Sequence, residues 1–289
     1  MRLRWVFALL PLAGFGGLPG NVLFADRSFF GVLKVIDGPV PGHHVLQHGT
    51  TLHGRQDMRI ATACEPLSYF HRRGPIGDVF ADIGSQLTNV AVIGLGTGAI
   101  ACYSNPGQRM TFFEIDPMVE RVARDPRLFS YLRNSPGEID VVIGDGRKLL
   151  EAQQPGTYDL IIVDAFSSDS VPVHLMTREA LRTYTSRLQP AGILALHISN
   201  RYLDLESVIA TTSAAEGTFA MSNRDTSVPP DEQTAGRIPS HWVVASRDER
   251  ALGVLRVRPS WRVVRPSPNA RLWTDDYSNV VDAFIFRRR

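Results

Sequence analysis

From residue 89 onward short apolar runs alternate with helix-compatible stretches, and this rhythm constrains the fold more than any other feature of the chain. Branched runs, each followed by a segment long enough for a crossover helix, build a mostly parallel sheet wrapped by helices. The predicted strands are 89–93, 110–114, 139–143, 160–163, 193–198 and 241–245, and the predicted helices are 97–103, 117–124, 147–153, 177–188 and 203–216. Residues 222–240, SNRDTSVPPDEQTAGRIPS, hold almost no apolar side chain and read as a polar loop, either a surface excursion or a lid.

The chain ahead of this rhythm reads differently. Residues 28–36 (SFFGVLKVI) run into Asp37-Gly38 as a strand into a turn, and 44–46 and 50–52 flank His48-Gly49 as a hairpin, so 21–63 is expected to form a small antiparallel β domain. A helical pattern over 65–82 is interrupted at Gly74-Pro75, and 64–289 is assigned to the α/β domain. Residues 1–20 place two arginines before an apolar run that glycine and proline cut short. That run is too short for a bilayer span of about 20 residues and reads as a leader or the remnant of a membrane segment, with a weak export signal as the alternative.

A formal net charge of +2 gives no case for nucleic acid. Two cysteines, Cys64 and Cys102, cannot make a disulfide framework or a four-thiolate metal site. A reduced, cytoplasmic setting is therefore the default. The histidines are scattered without an HExxH pattern, and no metal site is expected.

The first predicted strand runs directly into Gly94-Leu95-Gly96-Thr97-Gly98-Ala99. Glycines there let the backbone approach a ligand closely. Glu114 lies twenty residues after Gly94 at the end of the next strand, where an acidic side chain accepts the hydroxyls of a ribose. GLGTGA also satisfies a dinucleotide fingerprint, but Asp145-Gly146 and Asp164 end the next two predicted strands at the same sheet edge. Three carboxylates there repel a pyrophosphate and suit a cationic ligand. Asp164 is thus a candidate to hold an ammonium or to take a proton from an attacking amine. Asp169, five residues on, is a second candidate beside it or a turn residue, and Asp275, Asp276 and Tyr277 either close over the site or begin a helix. His197 and Asn200, just past the fifth strand, either orient substrate or serve the structure.

The ordered set GLGTGA, FFEID, GDGRKLL and YDLIIVDAFSSDSVP resembles the spermidine synthase type of polyamine aminopropyltransferases over roughly residues 44–200. HGTTLHG, YFHRRGPIG, HISNRYLDL and TDDYSN look like the bacterial branch in which such a domain is fused behind a membrane transporter-like region. The resemblance implies a class I methyltransferase-like Rossmann fold behind a small N-terminal antiparallel β domain. It also implies aminopropyl transfer from decarboxylated S-adenosylmethionine to an amine such as putrescine, with release of methylthioadenosine. By position, Gly94, Gly96, Thr97 and Gly98 would form the donor loop, Glu114 would hold the ribose, and Asp145 with Gly146 the adenine. Asp164 would be the proton acceptor, and Tyr69, Asp169 and Tyr277 would line the substrate site. The expected partners are a small-molecule amine and a second copy of the chain in a homodimer, with membrane association through the N-terminus.

The chain departs from the family's pattern in several places. Thr97 stands where the glycine loop usually carries an aspartate that grips the donor's ammonium, Phe70 replaces a polar residue after the tyrosine, and Leu52 or His53 falls at a usual glutamine. The acidic segment before the tyrosine is replaced around Ala63-Cys64-Glu65. Two alternatives therefore stand beside aminopropyl transfer: an S-adenosylmethionine-dependent methyltransferase, and a non-catalytic nucleoside or polyamine sensor.

Overall fold

Alternation of branched and polar residues carries the first four strands, β1 (Val22–Ser28), β2 (Gly31–Asp37), β3 (His43–His48) and β4 (Thr51–Asp57), which pair antiparallel in the order β1-β2-β3-β4. In the computed structural model, which describes residues 20–49, 51–165, 172–200, 202–268 and 270–284, this small sheet leans on the larger one through its inner face. Leu33, Val35 and Leu46 are fully buried there in the same core as Ile100 and Phe129 of the α/β unit. The leader reading for the N-terminus lies outside the described residues.

The second sheet has eight strands: β5 (Asn89–Ile93), β6 (Arg109–Glu114), β7 (Glu138–Ile143), β8 (Tyr158–Val163), β9 (Leu188–His197), β10 (Phe219–Asp225), β11 (Ser240–Ser246) and β12 (Arg262–Val263). They lie in the order β12-β10-β11-β9-β8-β5-β6-β7, parallel from β9 to β7 and antiparallel beyond β9. All six predicted strands are present with slightly different ends, and the mostly parallel α/β architecture is the one expected. Helices α1 (Pro75–Ile83), α2 (Pro117–Arg124), α3 (Tyr131–Asn134), α4 (Gly146–Glu151), α5 (Arg178–Arg187), α6 (Leu205–Ala215) and α7 (Pro230–Thr234) connect or flank the strands.

The period of two along a strand sends neighbours to opposite faces, so a sheet covered on both sides needs unbroken apolar runs. Val90, Val92, Leu160 and Ile162 join one core, with Val79, Phe112 and Trp242. Ala91, Ile93, Ile161 and Val163 join the other, with Leu181, Tyr184 and Ile209. Because β5 has β6 on one side and β8 on the other, the chain leaves it in opposite directions. The resulting crevice at the C-terminal strand ends is where open α/β sheets take their ligands.

Three expectations need correction. Residues 222–240 are not a plain loop: Ser222–Asp225 complete β10, and α7 follows. The strand escaped notice because its polar residues are satisfied by distant partners. The Ser222 hydroxyl donates to Glu206, and the Arg237 guanidinium pairs with Glu232 and Asp225 and folds the segment back. Residues 65–74 are turns, not helix, because Cys64 and Ser68 sit in the left-handed region and Pro75 begins α1.

Finally, the two cysteines, expected as thiols, form a disulfide across 38 residues of sequence. It staples the segment leading to Tyr69 onto the 3-10 turn Ala99–Tyr103 behind the glycine loop. A cross-link closing a loop of this size contributes about 2–4 kcal/mol, mainly by restricting the unfolded chain. The double replacement Cys64→Ser with Cys102→Ser is expected to lose that much in urea unfolding, and reductant should bring the wild-type curve onto it. Coincident curves under oxidising conditions would show that the link contributes nothing. Among the described residues no helix is long and apolar enough to cross a membrane.

Candidate active site

The glycine loop is held by the acidic residue expected to serve it. Gly94, Gly96 and Gly98 all have φ between 54° and 97°, a region other residues resist. A Cβ on Gly94 would lie 2.1 Å from the main-chain oxygen of Asp164, so the loop and the end of β8 touch backbone to backbone. Glu114, buried at the end of β6, accepts the Leu95 N–H on Oε2 and the Asp116 N–H on Oε1, each at 2.9 Å. Burial pushes its carboxyl up, and the main-chain N–H groups of Asp116, Leu95 and Ile115 oppose that shift. Since Leu95 N–H is engaged by Glu114, and the following turn spans only Ala99–Tyr103, the loop is not an open cradle for pyrophosphate. Each Glu114 oxygen keeps a lone pair for a ligand hydroxyl.

A cavity of about 270 Å³ opens over this arrangement, walled by Gly94–Gly96, Glu114, Asp145, Gly146, Asp164, Pro172 and Leu175. Asp145 also caps α4, its Oδ1 accepting the N–H groups of Arg147 and Lys148. A Cβ on Gly146 would meet Ile93 at 2.7 Å. Apolar walls with a buried carboxylate and a capping aspartate among them fit a nucleoside.

A second cavity of about 180 Å³ adjoins the first and is walled by Leu52, His53, Tyr69, His197, Ser199 and Ile238, among others. Asp164 lines both. Its Oδ1 lies 2.7 Å from His197 Nδ1, and it accepts a hydrogen bond from the Tyr69 hydroxyl. Complete burial, then the charge of Asp164, pushes the Tyr69 phenol well above its ordinary value, so it stays a donor. Tyr69 is aimed by its neighbour: Ser68 N–H donates to the Gly236 oxygen at 2.8 Å, which ties the tyrosine segment to the 222–240 stretch whose Ile238 and Pro239 close the cavity.

Of the residues read from the sequence, Gly94, Gly96, Glu114, Asp145, Gly146, Asp164 and Tyr69 come together around these two cavities. Thr97 and Gly98 do not line either one. Thr97 is buried with its hydroxyl unpartnered against Gly54 of β4, and Gly98 packs on Leu132, because the loop turns inward after Gly96. Asp169 lies outside the described residues. Tyr277 is part-exposed, its hydroxyl accepts from Arg271, and it lines neither cavity. The C-terminal segment instead reaches the site's margin through Asp275, which takes Arg147 of α4 in a two-point ion pair at 2.6 and 2.7 Å. Asn200 accepts the N–H groups of Tyr202 and Leu203 and shapes a turn. His48 and Ile238 also wall the cavities, and no signal in the sequence pointed to them.

A polyamine aminopropyltransferase of Vibrio vulnificus is 31% identical over 137 residues, 45% of this chain and 44% of that protein. An N-terminal histidine N-methyltransferase of Emericella nidulans is 33% identical over 122 residues, 40% of this chain and 20% of its own length. The matched region thus spans less than half of these curated relatives. In fold, a probable spermidine synthase from Corynebacterium glutamicum superposes with a TM-score of 0.63 at 15% identity, covering 88% of this chain and 97% of that one. The sequence model of the spermine/spermidine synthase domain matches residues 77–231, more than half of the chain, and the chain belongs to that family.

Proposed function

We propose that the protein transfers an aminopropyl group from decarboxylated S-adenosylmethionine to a primary amine such as putrescine, releasing methylthioadenosine. The observation that carries this reading is the position of Asp164, one carboxylate shared by the nucleoside-sized cavity and the smaller one beside it. The bound donor supplies an alkyl group activated by a sulfonium and a neutral thioether leaving group. Glu114 accepts the ribose hydroxyls, and Asp145 with Gly146 bounds the adenine. Asp164 receives the proton that the amine loses as its nitrogen bonds to the methylene carbon and the carbon–sulfur bond breaks. Tyr69 and His197 hold that carboxylate. Orientation and proton removal are the protein's tasks in such a displacement.

A second reading, methyl transfer from intact S-adenosylmethionine, is favoured by the glycine loop, in which Thr97 turns away from both cavities and supplies no carboxylate to the ammonium of a decarboxylated donor. The name of the Emericella relative belongs to that chemistry. Calorimetric titration with the two donors separates them. Tighter binding of the decarboxylated form is expected, and at least tenfold preference for the intact form would overturn the aminopropyl reading. Placement in the transporter-fused bacterial branch is part of the same proposal and rests on HISNRYLDL and TDDYSN.

A further inference from the structure

His197 ends β9, is 6% exposed as a residue, and has its ring pressed between two aromatic rings. Tyr69 stacks on one face at 4.4 Å and 18°, and Trp242 on the other at 4.8 Å and 26°. Both ring nitrogens are engaged: Nδ1 lies 2.7 Å from Asp164 Oδ1, and Nε2 lies 2.6 Å from Ser199 Oγ. The Ser199 oxygen also accepts the main-chain N–H of His241 at 2.9 Å. The Asp164 carboxylate can only accept, so the ring proton is assigned to Nδ1, and Nε2 of the neutral ring accepts the Ser199 hydroxyl proton. Carboxylate, imidazole and hydroxyl stand in the order of a hydrolase triad. The direction of action is reversed, however. The hydroxyl end is anchored on the N–H of β11 and reaches only the smaller cavity, while the carboxylate end lines both.

We propose that His197 is a positioning residue for the transfer reaction: its Nδ1–H holds Oδ1 of Asp164, leaving the remaining carboxylate lone pairs for the incoming amine, and Ser199 fixes the tautomer that makes this possible. The inference rests on the transferase reading above. A flat ring clamped on both faces and hydrogen-bonded at both nitrogens cannot rotate, so the carboxylate it holds is fixed in direction before the amine arrives. Misdirecting such a group costs about 10²-fold in rate.

Two polar replacements separate this role from a merely structural one. In His197→Asn the amide nitrogen falls where Nδ1 was and can still donate to Asp164, while the bond to Ser199 is lost. In His197→Gln the amide reaches Ser199, and the Asp164 bond is lost. Methylthioadenosine release is measured with decarboxylated S-adenosylmethionine and a panel of amines beginning with putrescine. The expected result is about 10²-fold lower kcat in His197→Gln, with the KM for the donor unchanged, and recovery of most of that loss in His197→Asn. Nitrogen-15 NMR of the wild type should show the Nδ1-protonated ring. A ring that packs only for structure predicts the reverse order of the two variants. That order, wild-type kcat in His197→Gln, or an Nε2-protonated ring overturns the proposal. If the wild type turns over no acceptor in the panel, the transferase reading falls and takes this role with it. That outcome differs from failure of the inference alone, in which the wild type is active and His197→Gln matches it.

Discussion

Replacing Asp164 with asparagine is expected to lower kcat about 10²–10⁴-fold while leaving donor affinity within a few-fold of wild type. The side chain keeps its shape, and its amide oxygen can still accept from His197 Nδ1–H. The amide cannot take a proton. A primary alkylamine, with a pKa near that of lysine at about 10.4, arrives almost wholly as an ammonium with no lone pair to attack. Loss of the carboxylate also removes the charge that attracts that ammonium, so the KM for the amine should rise as kcat falls. Steady-state release of methylthioadenosine, read separately against amine and donor concentration, distinguishes these effects. An Asp164→Asn protein with wild-type kcat would mean that the proton leaves by another route. Tyr69 does not offer that route, because burial and the neighbouring charge keep its phenol protonated.

The parts of the site that could be read in advance are those that ride on strand ends. Glu114 ends the apolar run of β6, and Asp164 and Gly94 directly follow those of β8 and β5, so all three fall at the C-terminal edge of the sheet. The smaller cavity was not legible in the same way. Its walls come from the β3–β4 hairpin, the turn before α1, the end of β9 and residues 238–239, elements far apart in sequence. Tyr69 and His197 were each visible as residues, but their stack depends on a fold that no local pattern encodes. The pairing of Cys64 with Cys102 left no spacing signal, since the link joins two turns brought together by the packing of the N-terminal segment on the glycine loop. At the C-terminus the sequence offered Asp275, Asp276 and Tyr277 together, and an arginine on α4 selects Asp275 among them. β10 was hidden for a related reason: its polar side chains look like those of a loop until Glu206, His241 and Arg237 are placed around them.

Glu114→Gln should weaken donor binding about 10²–10³-fold, because hydrogen bonds to a charged group contribute about 1.5–3 kcal/mol each and tenfold in affinity is about 1.4 kcal/mol. Two losses combine. The carboxylate presents one oxygen to Leu95 N–H and the other to Asp116 N–H, both at 2.9 Å, and each oxygen has a lone pair left for a ribose hydroxyl. An amide has only one such oxygen, and its NH₂ must face one of the two N–H donors, which pushes the glycine loop or the β6–α2 turn out of place. The pH dependence gives an independent check. Burial raises the Glu114 carboxyl, so its ionisation opposes folding. The associated stability is present below the unfolded glutamate range and is lost as pH rises through the raised folded value. Donor binding runs the other way: ribose hydroxyls donate to the ionised form, so affinity should climb through that same raised value and level off above it. Calorimetric titrations across this range should therefore show a step in the wild type and a flat, weaker profile in Glu114→Gln. An unchanged donor affinity in the variant would remove Glu114 from the ribose site and leave it as a brace for the loop.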